Sequence, residues 1–296
     1  MTKISVVVSA HNEEKNIVEC LKSVAWADEI ILIDSASSDQ TVVLAKQFKA
    51  KIFRRPNYPM LNKNKNFGFA KASGDWILNL DADERVSSPL KKEILVVVKK
   101  NQQPAGYTIP RKNIIFGKWI KHGLWYPDEQ LRLFRRSKGK FPEVHVHEKV
   151  TVKGSLGQLK NHIVHYNYRT ISQFLYKMQY LYVPNEVDNF IKSGKKIYWH
   201  DALRFPANDF IKNFFRLQGY KDGLHGLVLC LLQAFYSLLV FCYIWEKQGF
   251  WQFEQKNFLS QINIEFKQIK KNLRYWQIKA KAIPEVIKKI LLKLNR

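Results

Sequence analysis

Three carboxylates follow one apolar run of the chain. The run is "WILNL" at residues 76–80, and Asp81, Asp83 and Glu84 come directly after it. Two carboxylates spaced i, i+2 beyond the end of a strand can both reach one hard cation, because magnesium or manganese typically takes one or two carboxylates plus phosphate oxygens. Taken alone, the same pattern is also typical of a solvated loop with a helix N-cap. The spacing therefore indicates a metal–diphosphate site only if other strands bring polar loops to the same place.

The chain up to this run alternates strand and helix signals. The apolar runs at 3–10 and 29–36 are typical of strands that are buried on both faces, residues 51–56 read as a third, short strand, and residues 75–84 read as a fourth. Stretches with helical spacing separate them, and one begins with the capping residues "SSD". This order predicts an α/β fold with a mostly parallel, doubly wound sheet flanked by helices.

Polar loops follow three of these four strands. Residues Ser9–Glu13, Asp34–Asp39 and Asp81–Glu84 each lie just beyond a strand end. Ligands of open parallel sheets bind outside the carboxyl ends of the strands. We therefore expect the three loops to share one edge of the sheet, and this favours the metal–diphosphate interpretation of the Asp-x-Asp pattern.

The nucleotide-binding half of the family 2 glycosyltransferases resembles three segments of the chain: "ISVVVSAHNEEKNIVECLKSV", "EIILIDSASSDQTVVLAKQF" and "NKNKNFGFAKASGDWILNLDADERV". Their motifs occur in the family's order between residues 3 and 100. The resemblance implies the GT-A fold, which is Rossmann-like. It also implies an inverting transfer of a sugar from a nucleotide diphosphate sugar, most simply a UDP-sugar.

Later segments point to a subgroup. The bacterial lipopolysaccharide core β-1,4-glucosyltransferases resemble "NIIFGKWIKHGLWYPDEQLRLFRR", "VHEKV" and "GYKDGLHGLVLCLLQAFYSLLVFCYIWEKQG". This resemblance implies transfer of glucose or another hexose to a lipid-linked or lipopolysaccharide-type glycan. Two alternatives stay open: a polyprenyl-phosphate sugar synthase, and a basic binding protein without activity.

The resemblance also assigns residues to the donor site. The residues expected to contact the nucleotide sugar are Ser9, Ala10, His11, Asn12, Glu13, Asp34, Asp39, Lys65, Asn66, Asp81, Ala82 and Asp83. Asp34 would accept hydrogen bonds from a base N–H or from ribose hydroxyls, whereas Asp39 is equally a helix N-cap. The family usually has Arg where this chain has Lys65, and Lys supplies a point charge instead of a planar fork.

Magnesium or manganese is the implied cofactor. Asp83 is the better direct ligand by resemblance, and Asp81 would face the ribose and the metal. Related GT-A enzymes use a late histidine as a further ligand, and His147 could have that role. A structural or acceptor-contacting role for His147 stays open.

An inverting transfer needs a base that removes the proton of the acceptor hydroxyl. Asp128 in "WYPDEQ" is our first candidate, because Trp125, Tyr126 and Pro127 would partly desolvate it and raise its basicity. A simple turn aspartate after proline is the alternative. Glu148 in "VHVHEKV" is the second candidate.

Aromatic and basic side chains surround these acids in the sequence. Trp125 and Tyr126 would stack on sugar rings or pack in a core. Arg132 and Arg135, in the strand-like "RLFRR", would neutralise the leaving diphosphate, or an acceptor phosphate, unless they belong to a solvated basic face.

Composition narrows the class of partner. The chain has 296 residues and a formal net charge of +24, which implies an anionic partner. No nucleic-acid recognition motif stands out, so we expect an anionic membrane surface and no nucleic acid. The three cysteines, Cys20, Cys230 and Cys242, lack CxxC spacing and are expected to be small buried hydrophobes.

The last third of the chain is apolar and then basic. Residues 223–245 contain no Asp, Glu, Lys or Arg, and could form a transmembrane helix, a hairpin or helix in the interface, or a buried helix. We favour an embedded or interfacial segment over a full crossing, because the basic tail that follows would stay on the cytoplasmic side. The tail that follows reads as two basic amphipathic helices broken at Pro284. We expect a donor-binding half at 1–105, an acceptor half at 106–170 and a membrane-associated helical region at 171–296. The expected location is the cytoplasmic face of the bacterial inner membrane.

Overall fold

The structure is a computed structural model that describes residues 2–58, 60–100, 104–143, 149–252 and 256–280. The chain forms two compact units. The sheet unit contains Met1–Ile114 and Pro127–Asn167, and the helical unit contains Ile115–Tyr126 and the chain from Tyr168 onward. The expected donor half and most of the expected acceptor half thus belong to one unit, whereas residues 115–126 belong to the other.

Strands and helices alternate at the start of the sheet unit, as the sequence predicts. The described strands of the chain, nearly all of them in this unit, are β1 Ile4–Ala10, β2 Glu29–Asp34, β3 Lys51–Arg54, β4 Trp76–Asp81, β5 Glu84–Val86, β6 Gly106–Ile115, β7 Lys118–Trp119, β8 Glu129–Arg135, β9 Gly139–Lys140, β10 Thr151–Val152, β11 Leu156–Gln158 and β12 Ile163–Tyr168. The helices of this unit are α1 Ile17–Val24, α2 Thr41–Ala45, α3 Asn62–Lys71 and α4 Ser88–Val97. The short β7 and the last residues of β6 and β12 belong to the helical unit.

The main sheet is mixed, with strand order β3-β2-β1-β4-β8-β6-β12-β5 among the described residues. Strands β3, β2, β1 and β4 are parallel to one another. Strand β8 pairs antiparallel with both β4 and β6, and β12 pairs antiparallel with β5. The parallel half is the predicted doubly wound sheet, and the antiparallel strands extend it.

Strand β1 is buried on both faces because its alternate side chains enter two different cores. Val6 and Val8 pack with the buried face of α1, which carries Leu21 and Val24. Val7 packs on the other side with a second apolar cluster. Burying a Val side chain contributes roughly 1.5–3 kcal/mol, so the continuous apolar run stabilises this central strand from both directions.

Helix α3 lies very close to the sheet. A methyl group added at Gly68 would come within 2.6 Å of Val7 Cγ1 and 2.8 Å of Ile33 Cγ1, so glycine permits this approach. Helix α3 ends at Lys71. Gly74 follows it and lies against β1, where its backbone N–H donates to Ser5 Oγ at 2.8 Å.

The helical unit contains five described α-helices with short π-helical or 3-10 turns between some of them. They are α5 Ile171–Lys177, α6 Val183–Lys192, α7 Asp201–Ile211, α8 Leu224–Lys247 and α9 Phe258–Lys279. Helix α8 is the apolar segment that the sequence predicts. A bidentate ion pair joins α7 to α9, from Arg204 Nε and Nη2 to Glu265 at 2.7 and 2.6 Å. The predicted break at Pro284 lies outside the described residues.

Candidate active site

The loops after the parallel strands meet at one edge of the sheet, as predicted. Strand register places Ala10 of β1 opposite Asp34 of β2, and Ser9 opposite Asp81 of β4. The backbone N–H of Ala82 donates to Ser9 O at 3.2 Å, which fixes the Asp-x-Asp loop against β1. The predicted donor loops are therefore neighbours in space.

The loop at 9–14 is hydrogen-bonded along its length to the loop after β2. His11 Nδ1 lies 2.7 Å from Ser35 O, and Asn12 Oδ1 accepts from the N–H of Ser38 at 2.8 Å. Asn12 has a φ of 54°, a left-handed conformation that Asn tolerates better than most residues. These contacts give the two loops one fixed shape.

Asp39 ties the same loops together. Its Oδ1 accepts from the N–H of Thr41 at 2.9 Å at the start of α2, and its Oδ2 accepts from the N–H of Glu14 at 3.0 Å. Burial raises the pKa of Asp39, but these hydrogen bonds, with one from the Thr41 hydroxyl, outweigh burial and lower it. Asp39 thus fixes the start of α2, although the N-cap residue of this helix is Gln40, and the predicted contact of Asp39 with the nucleotide sugar stays a prediction.

Asp34 is fully buried. The N–H of Ser37 lies 3.3 Å from both carboxylate oxygens, and Arg54 Nε lies 3.4 Å from Oδ2. The Arg54 side chain is 65% exposed, so it can move aside. Both carboxylate oxygens of Asp34 thus lie near donors of the protein, and its predicted contact with the base or ribose stays a prediction.

Asp81 is held between two cations. Lys65 Nζ lies 2.5 Å from Asp81 Oδ1, and Arg132 Nη2 lies 2.8 Å from Oδ2. Burial raises the pKa of Asp81, but the charges of Lys65 and Arg132 outweigh burial and hold the pKa well below its usual range. Asp81 is therefore ionised, with both oxygens engaged.

The third carboxylate of the opening pattern is a buried part of the scaffold. Glu84 Oε1 lies 2.6 Å from Arg132 Nη2, and Glu84 Oε2 accepts from the N–H of Asp81 at 2.9 Å. Arg132 is only 5% exposed, so the expectation of a solvated basic face at this residue is wrong. Arg132 instead binds the Asp81 and Glu84 carboxylates together.

Asn66 fixes the segment that precedes 144–148. Its amide nitrogen donates to Phe141 O at 3.0 Å and to Glu143 Oε1 at 2.6 Å, and its oxygen accepts from the N–H of Phe141 at 2.9 Å. This side chain thus has a structural function, and its predicted contact with the nucleotide sugar stays a prediction.

Asp128 lies in a dense hydrogen-bond network. Its Oδ2 accepts from Arg111 Nε at 2.8 Å and Asn113 Nδ2 at 2.9 Å, and its Oδ1 accepts from Gln130 Nε2 at 2.7 Å. Burial raises the pKa of Asp128, but the Arg111 charge and these hydrogen bonds outweigh burial and lower it. The expectation of raised basicity is therefore wrong, because the sequence does not show that Arg111 reaches this carboxylate.

His165 on β12 connects this network to the Asp-x-Asp loop. His165 Nδ1 lies 2.7 Å from Asn113 Oδ1, and His165 Nε2 lies 3.4 Å from Asp83 Oδ2. The N–H of Tyr166 donates to Asp83 O at 2.9 Å, so β12 also holds the backbone of the loop. His165 and Asn113 are both buried.

Two predicted residues lie outside the described residues: His147 and Glu148. Within the described ranges, no group of three or more His, Cys, Asp or Glu side chains is arranged to hold a metal ion. Asp81 is paired with Lys65 and Arg132, and the predicted role of Asp83 as the direct ligand of a divalent cation stays a prediction.

The structure places Arg135 far from the predicted diphosphate site. It pairs with Trp76 at the start of β4, whereas Asp81 ends the same strand roughly 17 Å away at 3.3 Å per residue. Its guanidinium lies 5.0 Å from the Trp76 ring centre. Arg135 is thus at the opposite edge of the sheet from the donor loops, and the prediction that it contacts the diphosphate is wrong.

Trp125 and Tyr126 belong to the helical unit. The Trp125 ring packs edge-on against Tyr168 at 5.9 Å and Phe174 at 6.4 Å, and Tyr126 packs against Trp119 at 5.9 Å. Both residues have the packing role that was one of their two predicted roles, and stacking on a sugar stays a prediction.

Sequence reasoning missed Arg111, Asn113, Gln130 and His165. Arg111 and Asn113 alternate along β6, and His165 interrupts the apolar positions of β12. Buried polar side chains at alternate strand positions were the available signal, because such groups need hydrogen-bond partners.

Comparison with known proteins places the chain in a class. The model of Glycosyl transferase family 2 matches residues 5–159. The chain therefore belongs to glycosyl transferase family 2, and it is a glycosyltransferase of GT-A fold.

Individual relatives cover most of the chain. The lipopolysaccharide core biosynthesis glycosyltransferase LpsC of Rhizobium meliloti (strain 1021) is 24% identical over 253 residues, which span 83% of this chain and 93% of that protein. An uncharacterized glycosyltransferase of Rickettsia felis is 28% identical over 251 residues, which span 81% of this chain and 88% of that protein. The structure of S. aureus TarS 1–349 in complex with UDP aligns with a TM-score of 0.46 at 16% identity, covering 86% of this chain and 93% of that chain.

Proposed function

We propose that this glycosyltransferase moves glucose or another hexose, with inversion, from a UDP-sugar to a hydroxyl of a lipid-linked or lipopolysaccharide-type glycan. The observation that carries the proposal is the strand register that sets Ser9 beside Asp81 and Ala10 beside Asp34. It gathers the polar loops at the carboxyl edge of the parallel strands, where such sheets bind ligands. The named activity of the LpsC relative supports the choice of acceptor class.

The donor would lie over these loops. Asp34 would accept a hydrogen bond from the base once Arg54 moves aside. Lys65 and Arg132, which now neutralise Asp81, are near enough to the loop to share their charge with a diphosphate. Lys65 and Arg132 would thus attract a diphosphate to the Asp-x-Asp loop while both stay paired with Asp81.

Magnesium or manganese would be held by Asp83. Asp81 is less suited to direct ligation, because a divalent ion there would approach Lys65 and Arg132. His165 Nε2 lies 3.4 Å from Asp83 Oδ2, so His165 would have the ligand role that the sequence interpretation gave to His147. The cation supplies charge neutralisation of the leaving diphosphate when it is bound.

Asp128 would act as the base. Its lowered pKa keeps it ionised at neutral pH, and an ionised carboxylate can accept a proton. Oδ2 is engaged by Arg111 and Asn113, so Oδ1, next to Gln130, would receive the proton of the acceptor hydroxyl. Its basicity is modest, so the proton would move to it late, as the hydroxyl attacks the anomeric carbon.

The enzyme would work at a membrane surface. Among the described helices, α8 is long and apolar enough to span a membrane. Only 33% of its most apolar 18-residue stretch is buried. Leu224, Leu231 and Phe235 are exposed on it. Helix α9 adds exposed Leu259 and Phe266 beside lysines, a combination that favours an anionic interface.

Nucleotide binding tests the donor assignment directly. Thermal shift with UDP and manganese is expected to raise the melting temperature, and UDP-glucose or another UDP-hexose is expected to be hydrolysed or transferred in a screen of nucleotide sugars. Absence of both stabilisation and turnover, with magnesium as with manganese, would overturn the proposal in favour of a binding protein without activity.

A further inference from the structure

The Asn113 side chain lies between two functional groups. It is fully buried on β6, its Nδ2 donates to Asp128 Oδ2 at 2.9 Å, and its Oδ1 lies 2.7 Å from His165 Nδ1. Asp128 is the proposed base, and His165 faces Asp83 of the Asp-x-Asp loop. One amide thus connects the acceptor-side carboxylate to the donor-side carboxylate.

The orientation of this amide follows from hydrogen-bond chemistry. An ionised carboxylate only accepts hydrogen bonds, so the NH₂ group of Asn113 must face Asp128. The amide oxygen then faces His165, and an oxygen only accepts. His165 must therefore carry a proton on Nδ1, and this tautomer is inferred from the network of partners.

The tautomer decides what His165 can do. With the proton on Nδ1, the neutral imidazole has its lone pair on Nε2, the atom that lies 3.4 Å from Asp83 Oδ2. Two atoms at this separation can both lie about 2.1 Å from one divalent ion. The opposite tautomer would point an N–H at the carboxylate and could not ligate a metal through Nε2.

We propose that Asn113 is a positioning residue that fixes His165 in the tautomer able to share a divalent cation with Asp83. The proposal rests on the proposed donor site and adds to it. Arg111 supports the same arrangement, because it donates to Asp128 Oδ2 and keeps this oxygen in place for Asn113. Partners of this kind typically change metal affinity by roughly 10–100-fold when they are removed.

The experiment measures manganese binding in the presence of saturating UDP, by electron paramagnetic resonance, for the full chain. Asn113→Leu keeps the side-chain size, removes both hydrogen bonds and is expected to weaken manganese about 10–100-fold. On a His165→Ala background the same substitution is expected to have little further effect, because the ligand that it positions is gone. Equal losses on both backgrounds would overturn the proposal.

Asn213→Leu is the matched control. Asn213 is also a buried asparagine, at 3% exposure, but it lies in the helical unit. The Asn213→Leu variant is expected to bind manganese with unchanged affinity. A comparable loss in this control would assign the effect of Asn113→Leu to general destabilisation and would contradict the positioning role.

A second measurement does not depend on any variant. ¹⁵N NMR of the histidine rings at neutral pH is expected to show His165 protonated on Nδ1 in the metal-free protein. A neutral ring protonated on Nε2 would overturn the proposal even if Asn113→Leu did not fold. Failure of the wild-type protein to bind UDP and manganese would instead refute the proposed function, so the two failures are distinguishable.

Discussion

A buried ion pair joins Arg132 to Glu84: Arg132 Nη2 lies 2.6 Å from Glu84 Oε1, and the two side chains are 7% and 0% exposed. The same nitrogen lies 2.8 Å from Asp81. The structural acid and the first acid of the Asp-x-Asp pattern thus share one guanidinium nitrogen. A change at either acid therefore alters the electrostatic environment of the other.

Glu84→Gln is expected to destabilise the fold by up to roughly 3–5 kcal/mol, because Arg132 loses one of the two described carboxylates that compensate its buried charge and keeps only Asp81. Urea unfolding gives the free energy. Glu129→Gln, at an exposed neighbour on β8, serves as the control and is expected to change it little. Equal stabilities for the two variants would contradict the importance of the buried pair.

Asp83→Asn is expected to abolish manganese-dependent enhancement of UDP binding and to reduce turnover by orders of magnitude, because the proposed ligand loses its charge. Isothermal titration with and without manganese measures the first effect. Asp75→Asn is the control. Asp75 lies just before the opposite end of β4, where it accepts from the N–H of Lys3, and the variant is expected to bind UDP and manganese as the wild type does. Wild-type metal dependence in Asp83→Asn would contradict the assignment of Asp83 as the metal ligand.

Asp128→Asn is expected to lower kcat by roughly 10²–10⁴-fold while leaving UDP affinity almost unchanged. The amide oxygen of the variant can still accept from Arg111 and Asn113, so the positioning network should persist. Steady-state kinetics and UDP titration provide the comparison. Full activity would indicate an acceptor that needs no base, such as the phosphate of a polyprenyl-phosphate sugar synthase.

Glu29 links stability to pH. Burial raises its pKa, but hydrogen bonds from Lys51, Ser5 and Ser73 outweigh burial and lower the pKa to about 2. A depressed folded-state pKa stabilises the protein above the ordinary value near 4.5, and this contribution is lost as pH falls towards 2. Wild-type protein should therefore exceed Glu29→Gln in stability by up to roughly 3 kcal/mol near neutral pH, and by progressively less below pH 4.5. Urea unfolding across this range measures the difference, and a constant difference would contradict the assignment.

Vesicle flotation tests the membrane proposal. The full chain is expected to bind phosphatidylglycerol vesicles more tightly than phosphatidylcholine vesicles, and high salt should weaken the binding. Replacing Leu231 and Phe235 with Glu should weaken it by roughly tenfold or more, because two apolar side chains no longer enter the interface. The same change at the exposed Val43 and Val96 of the sheet unit is the control. Equal effects of both pairs would contradict a specific docking face.

The parallel half of the sheet was predictable because it is encoded locally. Strands β1, β2 and β4 are mainly apolar runs with buried side chains, and chain order alone fixes which loops follow strand ends. The gathering of Ser9, Asp34 and Asp81 at one edge follows from these facts and from the topology of parallel sheets. The family resemblance rested on the same segments.

The antiparallel half was not predictable in the same way. Arg111, Asp128 and His165 are distant in sequence, and nothing in their local patterns shows which strands pair. The pKa of Asp128 depends on Arg111, which the neighbouring Trp125 and Tyr126 do not reveal. Arg135 was misplaced for a related reason, because its position depends on the direction in which β8 runs beside β4.

The close packing of helix α3 on the sheet has an electrostatic consequence. Lys65 lies one helical turn before Gly68, so the close approach of the helix backbone to Val7 and Ile33 also brings the Lys65 side chain near Asp81. A methyl group at position 68 would therefore disturb both the packing of α3 on the sheet and the ion pair between Lys65 and Asp81.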